Sequence, residues 1–213
     1  MIDPDLFNDR TEGRIYGVVI GIVTNNQDPD GLGRIKVRFP WLSGEVESNW
    51  ARVAAPMAGN GRGLYTLPEP EDEVLVAFEH GSAEHPYVLG ALWNGKDKPP
   101  VSNDDGDNNV RVFKSRSGHV VRLDDTAGAE KIEIMDGAGT ESLVFDTAAS
   151  TITLTADMDV VIESKNGTLK LTGKNGVEIT SPGGPGKLET QGELNVTSSG
   201  GNVNVNGKAI NLN

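Results

Sequence analysis

The chain has 213 residues, enough for one large domain or two small ones with a buried core. It contains no cysteine, which excludes disulfide scaffolds, thiolate zinc sites and thiol nucleophiles. Its 31 acidic and 19 basic side chains give a net charge of −12, the wrong sign for a partner made of nucleic acid or an anionic membrane surface.

The N-terminus, Met1-Ile2-Asp3-Pro4-Asp5, is acidic and lacks the basic and apolar regions of a signal peptide. The longest apolar stretch, Gly17 to Val23, is far too short to cross a bilayer. The expectation is a protein made as a cytoplasmic species that leaves, if at all, without a signal peptide.

Residues 1–13 precede the first strand signal. From there to residue 95 five β-segments follow one another, each bounded by Gly, Pro, Asn or Asp. Arg14 to Thr24 is β-branched and apolar on both faces. Gly33 to Phe39 alternates, with Ile35, Val37 and Phe39 on one face and Arg34, Lys36 and Arg38 on the other. Trp50 to Ala55, Glu73 to Glu79 and Pro86 to Leu92 complete the set. Five short antiparallel strands in this length predict a small closed barrel of the OB type, with an SH3-like barrel as an alternative.

Composition shifts near residue 100. Nine of the eleven aromatics lie at or before Trp93, and nine of the eleven prolines at or before Pro100. Residues 96–115 are therefore predicted to be a linker, and 116–213 a second domain. In that second part, apolar pairs at i, i+2 recur: Val121/Leu123, Ile132/Ile134, Leu143/Phe145, Ile152/Leu154, Val160/Ile162, Leu169/Leu171, Val177/Ile179, Leu194/Val196, Val203/Val205 and Ile210/Leu212. From Ile152 onward, with Leu188 as a weaker member, successive units start six to eleven residues apart.

Such a repeat signals a solenoid or fibre. Each unit offers one short strand with two inward apolar residues. A single chain of these would be a thin sheet with long exposed edges. Three chains wound together would pair those edges and bring the apolar pairs onto a threefold axis. The pattern thus predicts an intertwined homotrimeric β-helix, all-β like the barrel before it. Its trimer core would comprise Ile132, Ile134, Ile152, Leu154, Val160, Ile162, Leu169, Leu171, Val177, Ile179, Leu194, Val196, Val203 and Val205. Its last strand would leave Ile210, Leu212 and Asn213 for a partner at the tip.

Several motifs in order carry a resemblance. These are Gly21-Ile22-Val23-Thr24-Asn25-Asn26-Gln27-Asp28-Pro29-Asp30-Gly31-Leu32-Gly33-Arg34-Ile35-Lys36-Val37-Arg38-Phe39-Pro40-Trp41-Leu42, Trp50 to Gly59, Asp72 to Gly81, Pro86 to Asn94, and the junction Ser115-Arg116-Ser117-Gly118-His119 through Asp124-Asp125-Thr126. Together they resemble the contractile-tail central spike family, which includes phage baseplate assembly protein V, the VgrG spikes of type VI secretion and the spikes of extracellular contractile injection systems. The resemblance implies a homotrimer docked under a hub, with a PAAR-type tip protein at the C-terminal end and the target membrane met only by puncture. VgrG-like spikes carry a large hub before the barrel. Here about 13 residues stand there, so a separate hub protein is expected, docked by residues 1–13. No histidine follows His119, so no metal-binding apex is expected.

Other candidates have simpler readings. His80 and His85, beside Glu79 and Glu84, match no metal spacing and fit a loop before Pro86. His119 near Asp124 lacks an evident nucleophile. Asn103 to Asn109 resembles half a calcium loop without its closing glutamate. Gly59-Asn60-Gly61-Arg62-Gly63 lacks the lysine and helix of a phosphate loop, and Glu71-Asp72-Glu73 fits a charged turn. No catalytic residue, cofactor or metal site is therefore expected, and no enzyme. The expected function is a structural spike in the baseplate of a phage tail or phage-tail-like particle. The alternative is an OB-fold module that binds oligosaccharide or single-stranded nucleic acid through the Arg34, Lys36 and Arg38 face.

Overall fold

Period-2 alternation with glycine and proline punctuation produces strands as far as Thr155. A computed structural model describes residues 13–42 and 46–210. The barrel region contains β1 (Val19–Asn25), β2 (Lys36–Arg38), β3 (Arg52–Val53), β4 (Ala58–Gly59), β5 (Arg62–Gly63), β6 (Glu73–Phe78) and β7 (Pro86–Ala91). The main sheet runs β2-β1-β6-β7-β3. All pairings are antiparallel except β3 with β7, which is parallel. Ile35 and Ala51 exchange backbone hydrogen bonds of 3.0 and 2.7 Å, which tie the two edges of the sheet together. The result is the curled sheet of an OB domain. β4 and β5 form a separate small hairpin in a stretch too rich in glycine to read as strands.

The alternation decides the core. Ile35, Val37 and Phe39 point inward with Val23, Ala51, Val74, Val76, Phe78 and Val88, and no polar residue is buried among those described. Phe39 and Phe78 stack at 5.6 Å. Gly21 sits opposite this core, where a Cβ would meet Val76 at 3.1 Å and Val37 at 3.3 Å. Their close approach needs a residue without a side chain there.

The loop from β1 to β2 is organised by one carboxylate. Asp28, only 3% exposed at its side chain, accepts hydrogen bonds from the backbone N–H groups of Asp30, Leu32 and Arg34. It also forms a two-pronged pair with the Arg34 guanidinium, at 2.8 Å from Nε and 2.7 Å from Nη2. Gly31 and Gly33 take the left-handed backbone that this tight wrap requires.

A second sheet follows: β8 (Val110–Lys114), β9 (Val120–Asp124), β10 (Lys131–Met135), β11 (Ser142–Asp146) and β12 (Thr151–Thr155). It is an antiparallel meander in the order β12-β11-β10-β9-β8. This corrects two expectations. The stretch 96–115 contains a strand, β8. The first apolar pairs find partners within their own chain, because connections of four to six residues let each strand fold back on its predecessor. A distinct unit begins at Asp159. Among its described residues, up to 210, there is no strand, and every residue is exposed.

The Arg34 guanidinium, as the largest cause, and the backbone amides of Asp30 and Arg34 hold Asp28 well below the usual carboxylate range. A carboxylate depressed in the folded state stabilises above its unfolded value, near pH 4, and loses that contribution as pH falls. Asp28→Asn should therefore lower the thermal midpoint at pH 7 by about 5 °C or more. The gap from wild type should narrow as pH falls below about 4. Thermal melts of both proteins across pH check this.

A candidate assembly interface on the second sheet

The turns of the meander share one device. Asp124 and Asp146 end β9 and β11, Asp136 directly follows β10, and each folds its carboxylate over the turn there. Asp124 accepts the amide and hydroxyl of Thr126. Asp136 accepts the amides of Ala138, Thr140 and Glu141. Asp146 accepts the amide of Ala149. These hydrogen bonds hold all three carboxyls below the ordinary range, led by the Thr126 hydroxyl, the Glu141 amide and the Ala149 amide respectively. The turns are thus preorganised at neutral pH and weaken as acid protonates them.

Fixed turns fix register, and register builds a ladder. Phe113, Val121, Ile134, Leu143 and Leu154 stand opposite one another across five strands. Leu123, Ile132, Phe145 and Ile152 form a second row, with Arg111 taking the β8 position opposite Leu123. Leu143 is half-buried, and the other apolar members are exposed, from 36% at Phe145 to 69% at Ile152. The opposite face carries ion pairs beside Val110 and Val112: Arg122 pairs with Asp124 at 2.6 Å and Glu133 at 3.1 Å, its Nε being left without a partner, and Lys131 pairs with Asp146 at 3.4 Å. A contiguous apolar face of this size is uncommon on a monomer and marks an interaction surface.

The expected core residues divide in two. Ile132, Ile134, Ile152 and Leu154 are brought together on this ladder. Val160, Ile162, Leu169, Leu171, Val177, Ile179, Leu194, Val196, Val203 and Val205 lie in the second unit, each at least half exposed and in no strand. Ile210 is exposed as well. Leu212, Asn213 and residues 1–12 lie outside the described residues. Phe113 is a member that sequence reasoning missed. The alternation Val110-Arg111-Val112-Phe113-Lys114 was its signal, hidden behind the acidic Asn103–Asn109 run.

The remaining candidates fall into structural roles. Arg34, Lys36 and Arg38 face Asp28, Glu47 and Glu71 at 2.7, 3.1 and 3.5 Å, and Trp50 lies under the first two. Each cation is matched locally. His80 lies in a single 3₁₀ turn, Glu79–Gly81, where its carbonyl accepts from Arg14. His119 Nδ1 accepts the Gly137 amide at 3.0 Å and binds the β8–β9 turn to the β10–β11 turn. Asn103 folds its own loop closed on the Asn108 amide.

Residues 19–93 match the family model of the type VI secretion system/phage-baseplate injector OB domain. The barrel is therefore similar to an injector OB domain. The likeness extends past it. The chain is 28% identical over 142 residues to the type VI secretion system spike protein VgrG2a of Pseudomonas aeruginosa, covering 63% of this chain and 17% of that protein. It is 34% identical over 134 residues to VgrG4b of the same species, covering 58% and 16%. It is 28% identical over 131 residues to VgrG3 of Vibrio cholerae, covering 58% and 13%. The chain thus spans under a fifth of the length of these relatives.

Where the two turns meet, a Cβ on Gly137 would lie 2.2 Å from the Ser117 carbonyl oxygen. Gly137→Ala should therefore destabilise the second sheet by about 1–3 kcal/mol. Gly186→Ala, where nothing lies within 4 Å, should change stability by about 0.5 kcal/mol or less. Chemical denaturation of the two variants checks the contrast.

Proposed function

We propose that this protein is the structural spike subunit of a contractile injection machine, acting as a homotrimer. The observation that carries this reading is the exposed two-row ladder. Burying it would contribute on the order of 10 kcal/mol per chain before ordering costs, comparable with the whole stability of a domain. Three copies with ladders turned inward would form a three-sided prism. Each chain would supply one hydrogen-bonded face over β8–β12, and the polar face of each sheet would meet water. Five strands spaced about 4.8 Å apart make this first section roughly 20 Å long.

Beyond Met158 the repeats continue with the same apolar pairs but no intrachain partner. In the trimer they wind together as a β-helix needle, and its strands form only when three chains are present. The OB barrels form a collar beneath a separate hub protein, engaged by residues 1–13. Ile210, Leu212 and Asn213 meet a PAAR-type tip protein that covers the last strand edges. The role is mechanical, with no catalytic step: contraction drives the rod through the target envelope, and interchain hydrogen bonding plus a dry axis supplies its stiffness. Assembly takes place in the bacterial cytoplasm, and the trimer is then built into the baseplate of a phage tail or phage-tail-like particle. The locally neutralised Arg34, Lys36 and Arg38 face gives the nucleic-acid alternative no support.

Light scattering after size exclusion tests the assembly. The chain of 22.6 kDa should elute as an elongated particle of three times that mass, about 68 kDa. Ile132→Asp combined with Ile134→Asp places two charges on the axis and should reduce the mass to that of the single chain. A wild-type protein that is a 22.6 kDa monomer at all concentrations would contradict the reading.

A further inference from the structure

A cavity of about 600 Å³ lies between Trp93, the 99–109 segment and the polar face of the second sheet. Val110 and Val112 line it beside Arg122 and Asp124, their cross-strand partners. The charges here are matched internally. Arg122 bonds both Asp124 and Glu133, and the other oxygen of Asp124 accepts from Thr126 twice. Apart from the buried Nε–H of Arg122, which has no partner, what remains open is uncharged. Among the described residues, the side-chain amides of Asn108 and Asn109 and the indole N–H of Trp93 have no hydrogen-bond partner, and Trp93 is 69% exposed.

We propose that this cavity is a binding site for a neutral pyranose saccharide. A sugar ring presents an apolar C–H face and a rim of hydroxyls that both donate and accept. The indole offers a flat amphipathic surface for the first, and free asparagine amides offer both halves of the hydrogen-bonding demand for the second. An anionic ligand would meet Asp104, Asp105 and Asp107 in the same loop, and the one cation lining the cavity, Arg122, already has its charge matched by Asp124 and Glu133, so its free Nε–H is left to bond a neutral hydroxyl. An apolar ligand would leave the amides desolvated and unpaired. The volume accommodates one to three sugar units. Because the site lies on the face opposite the ladder, it does not depend on the trimer reading. A spike carrying it would hold envelope polysaccharide as well as pass through it.

The test is calorimetric titration of the full chain with chitotriose and maltotriose, with glucose 6-phosphate as the charged comparison. At least one neutral trisaccharide should saturate at one site per chain with Kd of about 0.1–5 mM. Trp93→Ala should weaken it about tenfold or more, and Asn109→Ala about threefold. Both variants should keep the wild-type melting profile, since neither residue is in the core. The proposal is overturned if neither trisaccharide saturates by about 10 mM, if Trp93→Ala binds like wild type, or if glucose 6-phosphate binds most tightly.

Discussion

Nine apolar side chains from five strands share one face of the second sheet, and within a single chain nothing covers them. The rest of the architecture follows from that constraint. The inner strands of the meander satisfy their backbone with one another, and on the other face Arg122 and Lys131 are matched by carboxylates. Only the apolar ladder asks for a partner. A two-row ladder on a twisted sheet is most simply buried by copies of itself around an axis, because identical rows bring identical spacing. The unit after Met158 has the same requirement in stronger form, since among its described residues no backbone is paired into a strand.

The barrel obeys different rules. Its core of Val, Ile, Ala and Phe is complete within the chain, and Ile35 and Ala51 close its edges. It therefore holds its shape independently and presents fixed loops. The Asp28–Arg34 wrap is the clearest case, in which one shielded carboxylate orders seven residues and, with Asp30, matches the Arg34 guanidinium. In the spike proposed above, a self-sufficient barrel joined to a section completed by other chains would be a sensible division for carrying axial load.

Much of this was legible in the sequence, for reasons that can be named. The five barrel strands were, because Ile35, Val37 and Phe39 alternate against Arg34, Lys36 and Arg38 and only one face can be buried. The ladder residues on β9 to β12 were, by the same period. What period 2 cannot express is which strand lies alongside. It marks the apolar face of β10 but not whether its neighbours come from one chain or three. That choice rests on turn length and on Asp124, Asp136 and Asp146, whose capping role depends on backbone geometry. The parallel β3–β7 pairing was illegible because β3 is two residues long. The Trp93 cavity was illegible because it joins residues from a loop, a strand end and a sheet face. Arg111 carries no hint in its neighbours that it holds a ladder position.

The central claim is that the ladder, and not the polar face behind it, is turned toward other copies of the chain. The absence of native cysteine makes this directly measurable. Ile134 lies on the ladder and Glu133 on the opposite face of the same strand. Under mild oxidation the Ile134→Cys chain should give a covalent dimer, and with a three-armed maleimide a covalent trimer, while the Glu133→Cys chain should give neither. Efficient cross-linking through position 133 with none through position 134 would contradict the account.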